Sequence, residues 1–187
     1  EISACLVGSE MCIRDSVSMV QTLSDFFRAS LNSGKDIVSL EGECRHITSY
    51  LQIQQVRYQD ILTYDVDIPE EIANCKIPKI TLQPLVENAL YHGIKNKRGK
   101  GRIVVTGRRE KDKCVIRVED NGIGMTKERL NQVRGGLTTK IEDSNDFYGL
   151  YNVNERIRLK FGEEYGLSID SVLQEGTCVE VWLPWES

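Results

Sequence analysis

Long apolar runs are missing from this sequence. Nowhere does it approach the roughly 20 consecutive apolar residues that span a bilayer, so no membrane contact by this chain is expected. Histidine is scarce: His46 and His92 are the only two, which argues against a histidine-rich metal centre. The six cysteines, Cys5, Cys12, Cys44, Cys75, Cys114 and Cys178, are scattered without a C-x-x-C pair. That pattern fits reduced thiols better than a disulfide frame or a zinc site. Positive charge is not in excess either. A net charge of -4 and a pI near 5.4 argue against a general nucleic-acid binder, and the basic run "KNKRGKGR" (Lys95 to Arg102) reads as a solvated loop. Neither common phosphate loop occurs: there is no G-x-x-x-x-G-K, and the third Rossmann glycine position after Gly122 and Gly124 holds Lys127.

What is present supports a folded chain. With 187 residues and 40% hydrophobic content, one medium domain with an appendage can bury a core. The first segment, "EISACLVGSEMCIRDS" (1–16), has no sustained helix or strand period and no signal-peptide layout; it is expected to be either disordered or foreign to the protein. From 17 to 60 the pattern is that of a helical hairpin. Val20, Leu23, Phe27 and Leu31 recur at steps of three and four up to a stop at Asn32-Ser33-Gly34. After the link "KDIV", Ser39 can cap a second helix with Leu40, Cys44, Ile47 and Leu51 on one face. So small a hairpin cannot bury both faces alone, so it should pack on another copy or on the rest of the chain.

From 61 to 187 strands and helices mix. "LTYDVDIP" alternates as a half-buried strand. "PLVENALYHGI" reads as a helix with Leu85, Val86, Ala89 and Leu90 inward, closed by Gly93. Strands "RIVVTG" and "KCVIRV", a short helix, a polar stretch from Gly135 to Asp146, the helix "LYNVNERIRLKFG" and the strands "GLSIDSV" and "TCVEVWLP" follow. Without strict β-α-β alternation the expected fold is α+β: a two-layer α/β sandwich with a mixed, largely antiparallel sheet under helices.

Three separated pieces carry chemistry. In "VEDNGIGM" (Val118 to Met125) Asn-Gly alone signals a hairpin turn. Here a helix cap at Thr126 follows instead, with Met125 and Leu130 at staple positions. A carboxylate at Asp120 only accepts hydrogen bonds, so it can take an exocyclic amine and refuse a carbonyl. Gly122 and Gly124 admit close backbone approach. Glu87-Asn88 on the exposed side of a helix offers a neutral oxygen ligand suited to Mg²⁺, beside an acid that can orient one of its waters. An isolated Glu-Asn pair is more often merely solvated. In "FYGLYNV", Gly149 and Leu150 open a helix whose N–H groups can face phosphate. The polar stretch between the glycine loop and this helix has the length of a lid.

With these motifs the chain from about Val17 onward resembles the cytoplasmic end of a LytS/YesM-type sensor histidine kinase with a Bergerat-fold ATP-binding domain. "LQPLVENALYHGI" resembles the N box, "DNGIGM" the first glycine box, "YGLYNVNERI" the second, and "GTCVEVWLP" the closing element. The resemblance implies an ATP phosphotransferase of a two-component phosphorelay, dependent on ATP and Mg²⁺. It implies Asn88 on Mg²⁺, Asp120 on adenine, and Gly122 and Gly124 lining the base pocket. Gly149 and Leu150 would lie beside the phosphates, Glu87 and His92 would belong to the N box with Glu87 catalytic, and Thr177 would sit near the adenine end. His92 could bond a phosphate oxygen or cap its helix, and Arg156 is read as a surface salt bridge. Implied partners are a second copy through the helical hairpin and the receiver domain of a response regulator. The implied parent sits in the bacterial inner membrane, with this part in the cytoplasm.

Departures from the family pattern are specific. Phe147 stands where the second glycine box usually has glycine, and Tyr91 where many of these kinases have lysine. The acceptor motif resembling "NPHFLYN" is absent, so this chain is expected not to phosphorylate itself, and His46 has no acceptor role in the pattern. Two other readings share the fold: a catalytically incomplete ATP-binding module, and a serine kinase of the anti-sigma type, which would not need the hairpin.

Overall fold

A computed structural model describes residues 17, 19–24, 26–28, 36–59, 61–138 and 148–185. The anomalous segment 1–16, the helix stop at 32–34, Leu31, Phe147 and most of the polar connector lie outside the described residues. The described parts of 17–28 are helical and form α1. β1 (Ile37–Ser39), α2 (Leu40–Arg57), β2 (Leu62–Asp67), a 3₁₀ turn (Glu70–Ile72) and β3 (Lys76–Pro78) follow. Then come α3 (Leu82–Asn88), a π-helical turn (Ala89–Ile94), β4 (Gly101–Glu110), β5 (Lys113–Asp120), α4 (Lys127–Gly136), α5 (Tyr148–Phe161), β6 (Gly166–Val172) and β7 (Gly176–Pro184).

Five strands form the main sheet in the order β2-β4-β5-β7-β6. Only β2 and β4 run parallel; the other pairs are antiparallel. A parallel pair needs a crossover rather than a tight turn, and α3 with its π turn supplies it. The two-layer α/β sandwich expected from the sequence is therefore present. β5 lies at the centre, and Cys114, Val115, Ile116 and Val118 along it are all buried. Asp120 ends that strand at the level where the glycine loop begins, so the sheet delivers the carboxylate to the site.

α2 is stabilised by its own chain. Ser39 caps it by accepting from the Gly42 N–H, and the predicted face of Leu40, Cys44, Ile47 and Leu51 is buried in the same core as Leu85, Val86 and Ile116. Glu43 ties α2 to α3. Its carboxylate, 2% exposed, accepts the backbone N–H groups of Ile80, Thr81 and Leu82 at 2.7, 2.9 and 3.1 Å. Thr81 makes no side-chain cap, so a carboxylate from another helix satisfies the orphan donors of α3 and complements its positive end.

Two local readings are corrected, and one that stood open is narrowed. The link "KDIV" is not plain loop: Ile37–Ser39 pairs antiparallel with Lys76–Pro78, because the pre-α3 segment offers a strand edge that sequence periodicity does not reveal. On α1 the apolar stripe, expected to pack on another copy or on the rest of the chain, is left largely uncovered by the described residues. Val20, Leu23 and Phe27 are 66, 41 and 52% exposed, whereas Phe26 stacks on the His46 ring at 4.8 Å and 12°. Gly93 does not close its helix, since the π turn runs on to Ile94.

Candidate functional site

The end of β5, the glycine loop and the π turn are packed backbone against backbone. A Cβ on Gly122 would fall on Gly93, one on Gly93 would fall on the Asp120 carboxyl, and one on Gly176 would fall on the Asp120 carbonyl. Side chains at these positions would force the elements apart. The loop is also pinned by hydrogen bonds. The Ile123 N–H donates to Gly93 O (3.2 Å), its carbonyl accepts from the Gln174 N–H (2.7 Å), and the Met125 N–H donates to Ser171 Oγ (2.9 Å). Thr126 caps α4 by accepting from the Arg129 N–H, so the strand leads into a helix as predicted, and "DNG" makes no hairpin.

These elements enclose a cavity of about 370 Å³, within the size range of small-ligand sites. Its walls include Asn88 and His92 from the α3 end, Asp120 from β5, Gly124 and Met125 from the loop, Leu150 from α5 and Thr177 from β7. Val118, Ile169 and Val179 give it an apolar floor. Six of the nine sequence-named site residues thus meet around one cavity. Gly122 lies buried beneath Gly93, Gly149 is exposed at the start of α5, and Glu87 stands one residue before Asn88 without lining the wall. A larger hollow of about 810 Å³ opens elsewhere, against α2, β2 and Lys79.

Asp120 is 5% exposed. Burial pushes its carboxyl up to about 6, while the backbone amides of Gly122 and Thr177 pull it back, with Gly122 N–H donating to Oδ1 at 2.7 Å. One oxygen is therefore committed to the loop. Thr177 is held by a hydroxyl pair with Ser171 at 2.9 Å, and Ser171 donates to Gly176 O at 2.8 Å. Since Ser171 has one hydrogen, Thr177 donates to it and keeps its lone pairs for the cavity. His92 is exposed at the rim. Arg156, read as a surface salt bridge, donates to Ile80 O at 2.8 Å just before α3. Lys97 donates to Asn121 O (2.5 Å), so part of the basic run braces the glycine loop.

Sequence reading missed several residues. Ser171 and Arg129 carry no motif, and Glu43 lies in another helix. One signal is structural only: the α-helix changes to a π turn directly after Asn88, a feature frequent at functional sites. Among the described residues no group of three metal-ligating acids, histidines or cysteines occurs, and no helix is long and apolar enough to cross a membrane.

Comparison with known proteins fits this geometry. The family described as histidine kinase-, DNA gyrase B- and HSP90-like ATPases matches residues 78–187, and a histidine kinase family matches residues 8–62, beginning inside the segment set apart above. The chain is 34% identical over 167 residues to the sensor histidine kinase BtsS of Escherichia coli K12 and 36% identical over 167 residues to YesM of Bacillus subtilis, covering 89% of this chain and 27% of each relative. It is 35% identical over 166 residues to the sensor protein LytS of Staphylococcus saprophyticus, covering 88% of this chain and 28% of the relative. It thus spans little more than a quarter of these relatives' length. In fold, it resembles the catalytic domain of histidine kinase ThkA (TM-score 0.58, 11% identity, 79% of this chain and 94% of that one). It also resembles the histidine kinase domain of the Erythrobacter litoralis blue-light kinase EL346 (0.57, 14%, 89% and 72%). This chain belongs to the histidine kinase-, DNA gyrase B- and HSP90-like ATPase family.

Proposed function

We propose that this chain is the ATP-binding catalytic part of a two-component sensor histidine kinase. In the intact parent, the γ-phosphoryl of ATP would pass to a histidine nitrogen and then to the aspartate of a response-regulator receiver domain. The observation that carries the reading is Asp120: a buried carboxylate, held by the Gly122 and Thr177 amides, whose remaining lone pairs lie at the wall of a cavity rimmed by Asn88. Such an acceptor fits the exocyclic amine of adenine and disfavours the carbonyl of guanine.

Magnesium fits the residues present. An ion that keeps several waters and bridges phosphates needs few protein ligands, and Asn88 at the wall offers a neutral amide oxygen. When bound, the ion would neutralise charge developing on the phosphates. Glu87, the adjacent acid, would orient one of its waters, and Leu150 with the first amides of α5 would flank the phosphates. Positioning is most of the task, because phosphoryl transfer asks little covalent chemistry of the protein.

The exposed stripe of α1 supports a homodimer through that helix, since Val17, Val20, Leu23 and Phe27 are unburied within the chain. The absent acceptor motif favours a second reading for this chain alone, a nucleotide-binding module without transfer. The two separate on incubation with radiolabelled ATP and a helical peptide carrying an NPHFLYN-like motif. Label on the peptide supports the kinase; nucleotide binding without label supports the module.

A further inference from the structure

A line of polar side chains leads away from the cavity into the α2 layer. Gln83 donates from Nε2 to Glu87 Oε1 at 2.9 Å, and Gln83 Oε1 meets His46 Nε2 at 2.7 Å. A carboxylate only accepts, so the amide of Gln83 can face Glu87 in one sense alone. Its oxygen must then face the imidazole, and His46 must carry its hydrogen on Nε2. The other ring nitrogen, Nδ1, is buried with no partner, and the ring is 4% exposed and stacked on Phe26 of α1. No second hydrogen bond competes for the ring. Its one polar commitment is to Gln83, and an N–H of the Gln83 amide is given to Glu87.

We propose that Gln83 and His46 are positioning residues for Glu87. His46 fixes the sense of the Gln83 amide, and Gln83 holds the carboxylate oxygen where its neighbour Asn88 meets the cavity. The inference rests on the kinase reading of Glu87. Neither residue lines the cavity wall, so their loss should leave nucleotide binding intact and slow the step Glu87 serves. Misplacing a reacting group by about 1 Å costs up to about 10²-fold in rate.

Two measurements on the full chain test this. Ring ¹⁵N shifts of His46 should report the Nε2–H tautomer. In Glu87→Gln, whose new amide can either donate or accept, that preference should be lost. In transfer to the histidine peptide, Gln83→Leu should slow phosphorylation about tenfold, with the ATP dissociation constant within about twofold of wild type. His46→Phe, which keeps the aromatic stack on Phe26, should give a similar loss. The double variant should lose no more than either single one, because both act on the same carboxylate. Comparable melting temperatures exclude misfolding. An Nδ1–H tautomer, a tautomer indifferent to Glu87→Gln, or losses that multiply in the double variant would overturn the proposal. A wild-type chain that binds ATP and labels no peptide, while the tautomer still answers to Glu87→Gln, overturns the kinase reading and leaves the hydrogen-bond relay standing.

Discussion

Asp120 is costly to ionise where it stands. In the folded, nucleotide-free chain its carboxyl keeps a proton up to about 6, against 3.8 for the ordinary group. The folded state then binds more protons than the unfolded one across that window. Its contribution to stability is full below about pH 4 and is lost as pH rises through about 6, a change on the order of 3 kcal/mol. ATP binding runs the other way, since only the ionised form presents an acceptor without a proton. Nucleotide affinity should therefore weaken as pH drops below about 6, while the ligand-free melting temperature gains from this group. Asp120→Asn should flatten both slopes and weaken ATP binding at least tenfold, as followed by calorimetry and thermal melts over the same pH series. Affinity unchanged in this variant would remove adenine recognition from Asp120.

Gly176 is a harsher case at the same scale. It combines φ +132 with a Cβ direction that runs into the Asp120 carbonyl, so both conformation and space refuse a side chain. Gly176→Ala should cost about 2 kcal/mol or more, whereas Gly149→Ala, with only Pro84 Cβ nearby at 3.8 Å, should leave stability nearly unchanged. Denaturant midpoints of the two variants decide it. Asp120 and the glycine boxes were legible in the sequence because their spacing is local. The reason for the glycines was less so: Gly122 and Gly176 make room for Gly93 and for the Asp120 backbone, partners set by tertiary packing.

At the scale of elements, Glu43 replaces the missing cap of α3. Ile80, whose N–H it accepts, is a β-branched residue at φ 57, a conformation that persists only when its surroundings over-determine it. Glu43 holds the N–H and Arg156 the carbonyl. Glu43→Ala should destabilise the chain by about 3 kcal/mol, because it strands several buried donors. Hydrogen exchange should then show α3 opening before β5 does, which tests the cap directly. Helix and strand periods revealed most elements, but α3's cap comes from 38 positions away, and no periodicity carries that information. The same limit explains α1. Its stripe of Val20, Leu23 and Phe27 was readable, yet which side meets α2 was decided by Phe26 stacking on His46.

For the whole molecule, the bare side of α1 sets the expected association. Leu23→Glu with Phe27→Glu should shift a concentration-dependent dimer to monomer in sedimentation velocity without lowering ATP affinity, since neither residue approaches the cavity. A dimer unaffected by the pair would move the interface elsewhere.

The sheet order has a consequence for synthesis. β5 is flanked by β4, which precedes it, and by β7, which begins at Gly176. While the ribosome is still translating α5, the Val115 and Ile116 strand has one edge unpaired, and such an edge is a template for aggregation. Nascent chains stalled at about Gly162 should therefore lean on trigger-type chaperones far more than chains released with β7 in place.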